Sequence, residues 1–371
     1  MTQKTIDQVL CESVDQWPDH PAIVGDGYFS DYYCLNDSVD FFVDALAAAG
    51  VAPRDLVAVY IRSGYEYLVT VLALARLDAT PVLLDVLDNP LQTKKMIEDS
   101  GAGYVVTHDA DAYLLEDVLN ECDCESRTVP GAPDFTLVHC LRDSGEKAAC
   151  AGVVFFVDET GDCAFVPHEA IVAGALEMAE RFDLSEDDVV ASTDSMASRK
   201  SITVIVASFL TGAGLSLNRT SQFSDRDWLH TAPSHGVTVF ASRPRHLTRL
   251  LDARGADGAP PWPQLRAVIS SGGDNDEDFL RYFAAELPAV CIHLITGSAE
   301  GGMSSAIGLH ACPAAAGGSG SGARHAVGAH AGPPGTMRLA ARHELKMAVP
   351  LRRLIDEALF DGRASRCRCG R

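Results

Sequence analysis

The stretch DLVAVYIRSGYEYLVTVLALARLDATPVLLD, residues 55–85, sets the fold class. Residues 55–61 and 80–85 are continuous apolar runs of strand length, and the segment 64–77 between them has helical length and periodicity. A strand with no polar alternation is buried on both faces, which is the pattern of a parallel sheet covered by helices.

The alternation extends in both directions. PAIVGDG (21–27) reads as a strand ending in a turn, and Asn36-Asp37-Ser38 offers cap chemistry for a helix over 38–49 with Gly50 as its stop. Downstream come a helix over 90–99 and a strand GYVVTH (103–108). After a polar, proline-containing stretch at roughly 121–149 the same rhythm resumes: VVFFV, a helix over 168–182, a segment 201–210, then GVTVFAS, LRAVISS and CIHLIT. The expectation is an α/β chain of two related halves with largely parallel sheets, joined near 121–149.

From residue 309 the character changes to ACPAAAGGSGSGARHAVGAHAGPPG, rich in Gly, Ala and Pro and without apolar periodicity. Residues 309–371 read as an irregular tail, basic where the rest is acidic. Three origins fit that composition: a flexible basic tail, an out-of-frame reading of a GC-rich gene, or a degraded terminus.

A formal charge of −21 argues against nucleic acid or an anionic membrane as partner. No run reaches the roughly 18 apolar residues of a membrane helix, and MTQKTIDQVLCESVDQWPDH lacks a signal-peptide core, so a cytoplasmic location is expected. The eleven cysteines are scattered, with Cys122/Cys124 and Cys367/Cys369 as the only close pairs and no CxxC spacing. Thiols are expected, not a zinc site or disulfides. GxGxxG and GxxxxGK[ST] do not occur, HEA at 168–170 is not HExxH, and His139-Cys140 has no third member. An unrelated dinucleotide-binding oxidoreductase lacks its glycine-rich loop.

Residues 1–308 resemble the adenylate-forming (AMP-binding) superfamily, with nonribosomal peptide synthetase adenylation domains as the nearest pattern. WPDHPAIV, then ALAAAGVAPRDLVAVY, LARLDATPVLLD and Glu98-Asp99-Ser100-Gly101-Ala102 follow the family's opening in register. The resemblance implies the family's N-terminal domain, with two α/β sub-domains and without the small C-terminal domain and its lysine. It implies activation of a carboxylic or amino acid by ATP and Mg2+ to an acyl adenylate, with a phosphopantetheine carrier protein as a further partner.

Several site residues carry over. Gly272-Gly273-Asp274 resemble the turn lining the adenine site, where glycines let backbone approach a flat ring, although a ligand-less turn is equally built this way. Gly297, Ser298 and Glu300 resemble the loop whose Glu holds magnesium, a role that suits a hard oxygen. In the phosphate loop, FFVDETGDCAFVPH (155–168), Thr160 and Gly161 match, whereas Asp158 and Glu159 replace Gly and Ser and the lysine is missing. Two carboxylates facing a triphosphate predict weak ATP binding. Arg199 falls where peptide-synthetase relatives place an Asp for the substrate ammonium, which implies a substrate-side carboxylate or else a pair of solvated cations with Lys200. The reading is therefore an adenylation-type domain with impaired chemistry. The alternative is a catalytically inactive module that binds or scaffolds within a synthetase assembly.

Overall fold

The computed structural model describes residues 4–25, 28–62, 64–86, 89–119, 124–140, 148, 150–156, 163–217, 232–252, 262–271, 282–283, 285–287, 289–296 and 305–308. In chain order the elements are α1 (Ile6–Gln16), β1 (Pro21–Gly25), β2 (Tyr28–Asp31), α2 (Tyr32–Ala48), β3 (Leu56–Tyr60), α3 (Gly64–Arg76), β4 (Thr80–Leu83), α4 (Pro90–Ser100), β5 (Tyr104–His108) and α5 (Asp109–Leu119). They continue with β6 (Cys124–Val129), β7 (Ala132–Cys140), β8 (Gly152–Phe156), β9 (Cys163–Pro167), α6 (His168–Arg181), β10 (Val189–Ser192), α7 (Arg199–Thr211) and β11 (Gly214–Ser216). The last are β12 (Val239–Ser242), α8 (Pro244–Asp252), β13 (Ala267–Ser271), β14 (Cys291–Thr296) and β15 (Ser305–Gly308). The fold is mixed α/β with largely parallel strand pairing, and the chain divides into two compact units, residues 188–194 and 223–340 forming the second.

In the first unit the seven-stranded sheet runs β6-β7-β5-β3-β4-β8-β9. Its centre is the parallel trio predicted from residues 55–108, with Val57 opposite Pro81 on one side and Tyr104 on the other. β3 and β4 are buried along their whole length, as continuous apolar runs require. A parallel pair β1–β11 with β2 antiparallel to β1 completes this unit's strands.

Helix boundaries follow cap chemistry. Thr5 and Gln8 form a capping box on α1, Asn89 with Pro90 starts α4, and Gly101 ends it in the left-handed conformation at φ 75°. α2 begins six residues earlier than the Asn36-Asp37-Ser38 cap predicts, because Asp31 caps instead, accepting from Cys34 N at 2.6 Å. Buried Tyr32 and Leu35 extend its apolar face, and the Tyr32 hydroxyl donates to Ala213 O at 2.8 Å. Arg76 ties three helices together, contacting Asp7 on α1 and Asn36 and Asp40 on α2. The stretch 121–149 also differs from expectation, since it carries the β6–β7 hairpin turned at Gly131, φ 80°. β6 lies at a sheet edge with its middle exposed, so its polar composition conceals a strand.

The second unit is built on parallel β10, β12, β13 and β14, with β15 antiparallel to β14. Its core packs Phe240 edge-on to the fully buried Trp262 at 5.0 Å, with Leu247, Leu250, Phe283 and Ile292 around them. Residues 309–371 lie outside the described residues. Among those described, no helix is long and apolar enough to cross a membrane.

Candidate active site

The two edges of the parallel strands in the second unit have different chemistry. At the amino edge Asp188, with a side chain only 3% exposed, accepts two parallel hydrogen bonds from Arg266, at 2.7 and 2.6 Å, and a third from Thr238 Oγ1 at 2.6 Å. These residues immediately precede β10, β13 and β12, so the bidentate pair staples the strand starts together. That edge is committed to structure.

The carboxyl edge is arranged differently. Thr193 Oγ1 and Ser242 Oγ lie 2.9 Å apart just past β10 and at the end of β12, and Thr193 N donates to Ala241 O at 3.1 Å. Arg243 Nε donates to the almost wholly buried Asp194 carboxylate at 3.1 Å. Ser270, near the end of β13, is fully buried. Ligands in open α/β sheets bind outside the carboxyl ends of the strands, where loops leave and backbone groups point outward. β13 and β14 end at this edge; in sequence Gly272, Gly273 and Asp274 come next after β13, and Gly297, Ser298 and Glu300 after β14. The six residues themselves lie outside the described residues. Thr193, Asp194, Ser242 and Arg243 escaped sequence reasoning; the only signal was a polar Ser-Thr-Asp-Ser run ending an apolar strand.

In the first unit β8 and β9 form an antiparallel hairpin, from Gly152 opposite Pro167 to Phe156 opposite Cys163. The residues between its closing pair, 157–162, include Asp158, Glu159, Thr160 and Gly161 and are outside the described residues. The hairpin is tightly fitted, because a Cβ on Gly152 would stand 2.4 Å from Phe165 Cζ and 2.7 Å from Val166 O. His168 opens α6 directly after it and is buried, with neither ring nitrogen hydrogen-bonded. Burial holds its pKa down to about 4, against smaller opposing pulls from Asp78 and from the nearby Gly152 backbone. The imidazole is neutral at neutral pH.

Arg199, the one predicted site residue within the described set, is the first residue of α7. Ser198 caps that helix, accepting from Ser201 N at 3.1 Å, and its own N donates to Ser195 O at 2.9 Å. Two cations, Arg199 and Lys200, therefore open a helix whose amino end carries partial positive charge. Burial alone pulls the Arg199 pKa below its ordinary value. No cluster of three potential metal-ligating side chains occurs among the described residues.

The family model described as AMP-binding enzyme matches residues 10–149. Over that segment the chain is similar to AMP-binding enzymes. Bacitracin synthase 3 of Bacillus licheniformis is 24% identical over 307 residues, covering 82% of this chain and 5% of that protein. The chain thus spans a small fraction of the length of that relative. Among solved structures, VinN in complex with L-aspartate superimposes with a TM-score of 0.68 at 18% identity, over 82% of this chain and 79% of VinN. An artificially fused adenylation–PCP di-domain from Klebsiella oxytoca, NpsA-ThdA, gives 0.64 at 15% identity, over 83% and 56%. At these identities the likeness establishes the fold alone.

Proposed function

We propose that this chain is an adenylation-type module whose ATP chemistry is impaired and which binds a small acid within a larger synthetase assembly. The observation that carries the reading is the β8–β9 hairpin, because the residues joining its two strands include Asp158 and Glu159 and no lysine. A triphosphate needs N–H donors, hydroxyls and cations around it. The segment joining the two strands contains the carboxylates of Asp158 and Glu159 and no lysine, a composition that does not fit ATP phosphates.

Arg199 supports the acid-binding half of the reading. Arg199 opens α7, and a guanidinium offers the planar fork of donors that a carboxylate accepts in bidentate fashion. The proposed ligand is a carboxylic or amino acid bearing a second carboxylate. A carrier-protein partner fits the likeness to the adenylation–PCP fusion.

Calorimetric titration with Mg-ATP tests the impairment. Wild type should bind weakly and show no acid-dependent exchange of pyrophosphate into ATP, and Asp158→Gly with Glu159→Ser should tighten nucleotide binding without restoring exchange. Tight wild-type binding, or binding indifferent to the double substitution, would overturn the reading.

A further inference from the structure

Cys124 and Cys140 stand directly opposite each other on the antiparallel strands β6 and β7. Opposed residues in an antiparallel ladder alternate between pairs that exchange hydrogen bonds and closer pairs that do not. Cys140 N donates to Gly103 O at 2.9 Å, toward the β5 side of β7 and away from β6. The Cys124/Cys140 pair is therefore of the close type, with a Cα separation of about 4.5 Å, inside the roughly 4.4–6.8 Å span of disulfides. Opposed side chains also project on the same face of a sheet, so the two Cβ atoms approach each other.

Access follows from topology. β6 is an edge strand, and Cys124 is partly exposed while Cys140 on the neighbouring strand is buried. Both are thiols in this structure. Among the other described cysteines, Cys163 faces Phe156 across its ladder and Cys291 faces Ala267, so neither has an opposed sulfur by register.

We infer that Cys124 and Cys140 form an oxidation site, a dithiol converted reversibly into a cross-strand disulfide by a hydroperoxide. The Cys124 thiolate attacks the peroxide, forming an S–O bond and breaking O–O, so that the sulfur loses two electrons and the peroxide gains them. The Cys140 thiolate then attacks that sulfur, S–S forms, S–O breaks and hydroxide leaves. The two thiol protons end in water. With hydrogen peroxide the sum is two thiols and one peroxide giving one disulfide and two waters. The bridge joins the open end of the hairpin, opposite the Gly131 turn, and fixes its register.

The test is peptide mapping by mass spectrometry on the full chain, reduced and then titrated with hydrogen peroxide, with remaining thiols alkylated under denaturing conditions. The first disulfide to appear should join the Cys124 and Cys140 peptides, two thiols should be lost per chain, and dithiothreitol should restore both. In Cys140→Ser, Cys124 should accumulate as a sulfenic acid captured by dimedone. The inference fails if Cys124 and Cys140 stay alkylatable while Cys11, Cys34 or Cys150 are already oxidised, or if the first bridge uses Cys122. Because the wild-type map stands alone, poor folding of a variant leaves the decision intact.

Discussion

Acid should destabilise this protein through one imidazole, and His168→Leu should remove that sensitivity. His168 is buried at the start of α6, neither nitrogen has a hydrogen-bond partner, and the helix amino end adds a repulsive partial charge. Its pKa falls from the ordinary 6.5 to about 4, mainly by burial. A depressed histidine binds fewer protons folded than unfolded between those values. Stability therefore falls as pH drops from about 6.5 to about 4 and is flat above that window. A shift of this size is worth about 3 kcal/mol at 1.36 kcal/mol per pKa unit. Leucine has similar bulk and no proton to gain, and it also removes two buried, unbonded polar atoms.

The assay is chemical denaturation of wild type and His168→Leu at pH 7.5, 6.5, 5.5 and 4.5. Carboxylates contribute their own pH dependence, but it is common to both proteins and cancels in the difference. The wild-type deficit relative to the variant should grow by about 2.5 kcal/mol between pH 7.5 and 4.5, most of the full shift, as the linkage relation requires. Parallel curves across the whole range would refute the argument, because the imidazole would then be reaching water or a partner when folded.

Gly212→Ala should cost more than 2 kcal/mol, because left-handed backbone alone costs about 1–2 kcal/mol for a side-chain-bearing residue. Gly212 has φ 74°, and the new Cβ would meet Trp17 Cδ2 at 2.6 Å; thermal unfolding with Trp17 emission would register both the loss and the displaced indole. Arg76→Leu leaves the Asp7 carboxylate buried without its main partner and should cost about 3–5 kcal/mol at neutral pH. Burial already raises the Asp7 pKa against the pull of Arg76, so the penalty should shrink as pH falls and Asp7 protonates, which denaturation at pH 7.5 and 4.5 would reveal.

How much of this was legible in the sequence depended on where each element sits. β3, β4 and β5 announced themselves because a central parallel strand is apolar on both faces, and α4 did so through Asn89-Pro90 and Gly101. Edge elements kept silent. β6 is buried at little more than its last residue, so nothing in CESRTV separates it from a loop, and the opposition of Cys124 to Cys140 depends on a register that spacing does not encode. Resemblance supplied Gly272-Gly273-Asp274, Gly297-Ser298 and Glu300 as candidate site residues, and the strands preceding them end at one sheet edge. What resemblance did not supply was the chemistry already present at that edge. Thr193–Ser242 and Asp194–Arg243 are pairs between segments about fifty residues apart, each member ordinary alone. Asp188, Thr238 and Arg266 show the same dependence on tertiary contact at the opposite edge, where they fasten strand starts. The amino edge is stapled by a bidentate ion pair, whereas the carboxyl edge carries hydroxyls and a buried Asp194 held by an exposed Arg243, and it is this second edge that is proposed for binding. A substitution at Asp188 should therefore register in unfolding, and one at Ser242 in ligand affinity.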